Sequence, residues 1–121
     1  MGATSLTKTL LGEYLLTDET VTRPTSWFVA LFVGETEVSG TGYERKAVVF
    51  EETATAGIFK NNADIDFGKA GSSWGTVDKY KIYTLSSGGD ILIEEEFDTA
   101  KTIGEGITFK ILEGDLSVTI E

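Results

Sequence analysis

The chain has 121 residues, a formal charge of −10, and neither cysteine nor histidine. These absences exclude a disulfide frame, a thiolate nucleophile, a histidine-based triad and a cysteine–histidine zinc site. Its ten lysines and arginines form no basic run, which argues against a nucleic-acid partner, because phosphate-backbone binding rests on clustered cations.

A chain of this size builds one domain around one core. Fourteen glycines against a single proline point to tight turns and an all-β chain. The first 20 residues lack the basic start and continuous apolar run of a signal peptide. The longest apolar run, Trp27 to Val33, falls far short of the ~20 residues a membrane helix needs. The protein is therefore expected to be neither exported by a signal nor embedded in a membrane.

Leu6, Leu10 and Tyr14 recur at steps of four, with Leu11 and Leu15 alongside and Thr4 or Ser5 ready to cap. This spacing predicts a short amphipathic helix within residues 1–17. Gly12 weakens it by up to ~1 kcal/mol, so the helix needs a surface: the open end of its own domain, or a neighbouring subunit. Residues 17–26 are polar, contain Arg23-Pro24 and read as a connection. Trp27 to Val33 is apolar on both faces, which predicts a strand covered on each side. The polar loop Gly34 to Gly42, with glycines that permit positive φ, leads into a strand predicted from Tyr43 to Phe50. Arg45, one of only two arginines, is expected to form a surface ion pair with Asp78 or Glu44, worth ~0–1 kcal/mol.

Residues 51–57 read as a loop. Ile58 to Phe67 reads as a short strand, an asparagine-rich bend and a second strand, with Ile65 and Phe67 on one face and Asp64 and Asp66 opposite. Those two carboxylates lack the glycine-spaced oxygen ligands of a calcium loop, so they read as a solvated face and no metal site is assigned. In the stretch Ser72 to Leu85, Trp74 is placed to close one end of the domain. The following strand sets Tyr80 and Ile82 on one face and Tyr83 on the other. Ser86 to Asp90 signals a hairpin, so Ile91–Phe97 pairs back onto Tyr80–Leu85. Glu95, in the triplet Glu94-Glu95-Glu96, shares a face with Ile93 and Phe97. Adjacency in sequence does not supply the separation across a cleft that glycosidase carboxylates need. No catalytic residue and no cofactor site is assigned. After a connection over 98–106, Ile107, Phe109 and Ile111, then Leu116, Val118 and Ile120, alternate in two strands expected to form a closing hairpin. The sum is all-β: a single domain whose residues 26–121 form a two-sheet antiparallel β-sandwich, Ig-like or jelly-roll-like, of about seven or eight strands.

Four segments in register carry a family resemblance. They are the leucine-rich Leu6–Leu16; Trp27–Val33 followed by Glu37-Val38-Ser39-Gly40-Thr41-Gly42-Tyr43-Glu44-Arg45; Ser73-Trp74-Gly75-Thr76-Val77 leading to Ile82-Tyr83; and Gly106-Ile107-Thr108-Phe109 with Leu116 to Ile120. Together they resemble a family of small tailed-bacteriophage structural proteins of the tail fibre or minor tail type. The chain departs from that pattern at Glu44, where a small residue is usual, and at residues 85–89, where the usual turn contains an aspartate. The resemblance implies a non-enzymatic virion component, assembled in the bacterial host cytoplasm and carrying no cofactor. It implies copies of itself as partners, a trimer favoured by analogy, together with other virion proteins of tail or capsid. A capsid decoration or cement role stays open beside a tail or fibre subunit. The contact residues expected on this reading are Leu6, Leu10 and Tyr14 on the helix, with Val38, Tyr43, Arg45 and Trp74. The competing expectation is a receptor- or carbohydrate-binding module in which exposed Trp74, Tyr80 and Tyr83 stack on sugar rings.

Overall fold

A computed structural model of the protein describes residues 3–21 and 23–119. A helix, α1 (Ser5–Leu16), precedes ten strands among these residues: β1 (Phe28–Val33), β2 (Thr36–Glu37), β3 (Lys46–Ala47), β4 (Phe50–Glu52), β5 (Ile58–Asn61), β6 (Ile65–Lys69), β7 (Gly75–Tyr83), β8 (Ile91–Ile103), β9 (Thr108–Ile111) and β10 (Ser117–Thr119). All described pairings are antiparallel, and the architecture is the β-sandwich that the sequence predicts. The strand count exceeds seven or eight because β2 and β3 are two-residue pairings on the same edge of β1. The sheet order β2-β1-β7-β8, with β3 also on β1, forms one layer. The other layer is split into two ladders, β10-β5-β4 and β6-β9.

The alternation in β1, in β6 and over Tyr80–Ile82 of β7 does what its period requires, while the register shift after Val77 returns that residue to the same core. Val29, Leu31, Val77, Tyr80, Ile82, Ile65 and Phe67 meet in one core with Ile93, Ile103, Ile111, Leu116 and Val118. Aromatic contacts run through it from layer to layer: Tyr80 to Phe97 (ring centroids 5.1 Å apart), Phe97 to Phe109 (6.2 Å) and Phe109 to Phe67 (5.7 Å). The path continues from Phe67 to Tyr43 (6.3 Å) and from Tyr43 to Trp74 (5.7 Å, edge-on). Phe97 reaches its partners because the β7–β8 register jumps, setting residues 97–100 opposite Asp78 alone. Such a bulge re-aims a side chain and twists the strand. A second bulge, at Asp66/Gly68, uses a left-handed Gly68 (φ +76°).

The outer face of the large sheet carries a smaller cluster of Ala30, Phe32 and Tyr83. Its cover differs from that of the inner face. Phe32 and Tyr83 stack with centroids 6.5 Å apart, the Arg45 guanidinium lies 3.6 Å from the Tyr83 ring centre, and the Lys81 ammonium lies 4.3 Å from that of Phe32. The two cationic heads lie over the rings as cation–π contacts and cover this cluster in place of apolar side chains.

Several boundaries differ from the sequence reading. The Gly34–Gly42 loop contains β2, and the strand read from Tyr43 to Phe50 is broken into β3 and the start of β4. Between them Val48 N–H donates to Trp27 O (2.9 Å) and Val49 O accepts from Asn62 N–H (3.0 Å), so the segment leaves one layer for the other. The connection read over 98–106 is strand as far as Ile103, pairing with Gly75–Val77. Its side chains at 98–102 are exposed, so no apolar alternation announced it.

Residues 107–119 do not form a hairpin: β9 pairs with β6, and β10 pairs with β5. Asn61, 1% exposed, causes the divergence. Its amide nitrogen donates to Ala63 O (2.9 Å) and Leu112 O (3.0 Å), and its Oδ1 accepts from Leu116 N–H (3.0 Å). Its backbone carbonyl takes Gly114 N–H (3.0 Å). The 112–116 turn thus wraps a buried amide, which needs all its partners inside the protein, and the chain is delivered to β5. Ile120, expected in that last strand, lies outside the described residues.

Candidate functional site

The residues picked from the sequence fall into two places. Val38, Tyr43, Arg45 and Trp74 converge on the loop between β2 and β3; Leu6, Leu10 and Tyr14 lie on α1.

The loop is locked from within. Trp74, 5% exposed, donates from Nε1 to Thr41 O (3.1 Å), while Thr41 N–H donates to the Ser72 hydroxyl (2.9 Å) and Thr41 O also takes Gly71 N–H (2.9 Å). Gly40 lies flat on the indole: a Cβ there would sit 2.5 Å from Trp74 Cδ1. Tyr43 donates its hydroxyl proton to Glu37 Oε2 (2.7 Å) and accepts from Leu31 N–H (3.0 Å).

Arg45 completes the lock. It grips Glu37 with two hydrogen bonds, Nε to Oε2 (2.9 Å) and Nη2 to Oε1 (3.0 Å). Nη1 donates to Leu85 O (3.1 Å) and Gly88 O (2.8 Å) at the β7–β8 turn. This corrects the expected surface pair with Asp78 or Glu44. Asp78 is committed to Gly34 N–H (2.9 Å) and Glu44 to Lys46 (2.7 Å), and the Arg45 side chain is only 9% exposed.

The electrostatics follow. Partial burial pushes Glu37 up, but Arg45 and the Tyr43 hydroxyl outweigh it and hold the carboxyl below its ordinary value. The hydrogen bond to Glu37 holds Arg45 charged. Burial first, and the bond to Glu37 second, drive the Tyr43 phenol far upward, so it stays a proton donor.

Trp74, Tyr80 and Tyr83 are all buried, which removes the stacking platform of the carbohydrate reading, and Val38 is likewise a core residue at 6% exposure. These residues set the loop's shape; its exposed residues are Ser39, Thr41, Gly42 and Glu44. Among the described residues no cluster of acidic side chains is arranged to hold a metal ion.

The helix is different in kind. Thr4 caps it, accepting from Thr7 N–H (3.4 Å), and the same hydroxyl donates to Ile91 O (2.7 Å). Thr4 N–H donates to Leu92 O (3.0 Å) and the Thr7 hydroxyl to the same carbonyl (2.7 Å). Its first turn is thereby tied to the edge of β8. None of its residues is buried: Leu6 and Leu11 are 37% exposed, Tyr14 72%, Leu15 69% and Leu16 85%. Between α1 and the segment that follows it runs an apolar groove of about 390 Å³, lined by Leu10, Leu11, Tyr14, Val21, Pro24, Trp27 and Leu92, with Arg23 and Thr7 also contributing. The sequence reading named the helix leucines but missed the groove's other wall. On that wall Arg23-Pro24 reads from the sequence as a break in the chain, and Trp27 and Leu92 as parts of strands.

No curated protein matches the sequence. The model of the family described as Podophage GP4 fiber I protein gp80 matches residues 2–119. That match takes in α1, the locked loop, the Trp74 turn and both final strands, in agreement with the fibre resemblance of the same segments, and the chain belongs to the Podophage GP4 fiber I protein gp80 family of tailed-phage structural proteins.

Proposed function

We propose that the protein is a non-enzymatic subunit of a phage tail fibre, assembled in the host cytoplasm and working as one of several identical copies, a trimer by preference, joined to other proteins of the virion. The observation that carries this reading is the contrast between the two regions. The loop uses its polar and aromatic groups on itself, whereas α1 presents five large apolar side chains to the exterior. A rigid sandwich with an uncovered apolar element suits attachment better than it suits chemistry or glycan stacking.

Imaging of intact particles labelled through an epitope at this chain tests the assignment. Label confined to the tail supports it. Label spread over the capsid lattice replaces it with a decoration role, and purified particles free of the chain overturn the virion reading.

A further inference from the structure

Resting on that reading of identical copies, we propose that the groove beside α1 receives the end of the same helix from a second copy: the neighbour's Leu15 and Leu16 enter the apolar bed, and its Asp18 and Glu19 meet Arg23 at the rim. The helix does not sustain itself alone. At 12 residues, with Gly12 inside and no buried side chain, it is shorter than helices that persist in water, and only its first turn is tied down. Its last turn carries the two most exposed leucines of the structure, side by side.

Charge selects the occupant. In a chain of net charge −10, like copies repel unless cations are spent at the contact. One of the two arginines is consumed by Glu37. The other, Arg23, is exposed, lines the groove and makes no ion pair among the described residues. Asp18 and Glu19 are also exposed and also without an ion pair, although they precede Arg23 by only five and four positions. An extended chain covers about 7 Å in two residues, so an acidic pair just beyond Leu16 reaches the rim when the leucines fill the bed. Because the end of one copy enters the side of the next, the contact is heterologous and closes as a ring when the rotation permits.

Native mass measurement and sedimentation of the full chain over a dilution series test this. Leu15→Ser with Leu16→Ser, and separately Arg23→Glu, are each expected to weaken self-association at least about tenfold. At dilutions where each chain is monomeric both leave the cooperative melt unchanged, since the altered side chains are exposed. Arg23→Glu combined with Asp18→Lys and Glu19→Lys is expected to restore the assembly. A wild-type chain monomeric throughout overturns the proposal, as does an assembly indifferent to either variant or a charge reversal without rescue. A chain monomeric alone that seats a different purified tail protein in the groove also overturns it. Incorporation into particles is scored separately: a chain found on the tail yet monomeric in solution leaves the fibre reading standing and removes only this contact.

Discussion

Arg45 joins three things that are distant in sequence: the carboxylate of Glu37, the carbonyls of the β7–β8 turn and the face of Tyr83. Truncating it leaves the partly buried Glu37 carboxylate with the Tyr43 hydroxyl as its remaining side-chain donor, and takes the Arg45 donor from two carbonyls. Arg45→Ala is expected to cost about 2 kcal/mol, below the cost of breaking a fully buried pair because Glu37 keeps some solvent. Arg45→Lys recovers only part of this, since an ammonium cannot span the fork and the turn together. Denaturant midpoints check both. The depressed value of Glu37 gives a pH signature. The folded state holds this carboxyl below its ordinary 4.5, so its stabilisation is complete above that value and is lost as pH falls through the folded value. The stability gap between wild type and Glu37→Gln should stay constant from neutral pH down to about 5 and shrink below 4.5. A gap that widens in acid would refute the assignment. Gly40 is as specific: Gly40→Ala forces the buried indole to move, at a cost of roughly 1–3 kcal/mol.

Among elements, α1 is the one whose stability is local. It is tethered to β8 by the Thr4 and Thr7 hydroxyls, and none of its residues is fully buried, so it should open without the sandwich. Thr4→Ala removes the cap and one tether and is expected to speed amide exchange throughout residues 5–16 about tenfold, leaving β1 and β7 unchanged. Gly12→Ala has open space for its methyl and should slow the same amides by a factor reflecting up to ~1 kcal/mol. Global protection of α1 equal to that of β7 in a verified monomer would show a docking tighter than its contacts imply.

For the molecule as a whole, the last strand is decisive. Leu116 and Val118 are buried at 2% and 5% exposure, and Leu116 N–H satisfies Asn61. Deleting residues 116–121 exposes apolar surface worth about 1.5–3 kcal/mol per side chain and strands a buried amide at about 1–3 kcal/mol more. Against a typical total of 5–15 kcal/mol, the truncated chain is expected to lose its cooperative thermal transition, and a preserved sharp melt would contradict this.

Period and composition sufficed for what depends on neighbours in sequence. The apolar runs of β1 and β7, the shared face of Ile65 and Phe67, the β7–β8 hairpin and the helix all follow from spacing, because burial acts on each strand through its own alternation. Partner choice for polar groups was not legible. Arg45 and Glu37 stand eight positions apart with closer carboxylates on offer, and Asn61 reads only as part of an asparagine-rich bend; which donor meets which acceptor depends on loops brought together across the layers. The exposed half of β8 carried no apolar signal at all, and the split of β9 from β10 came from one buried amide. The groove beside α1 is of the same kind. Its leucines were visible in the sequence, but its depth and the place of Arg23 on its rim exist only once Leu92 and Trp27 are folded beneath the helix, because a concave surface is made by contacts that no local spacing encodes.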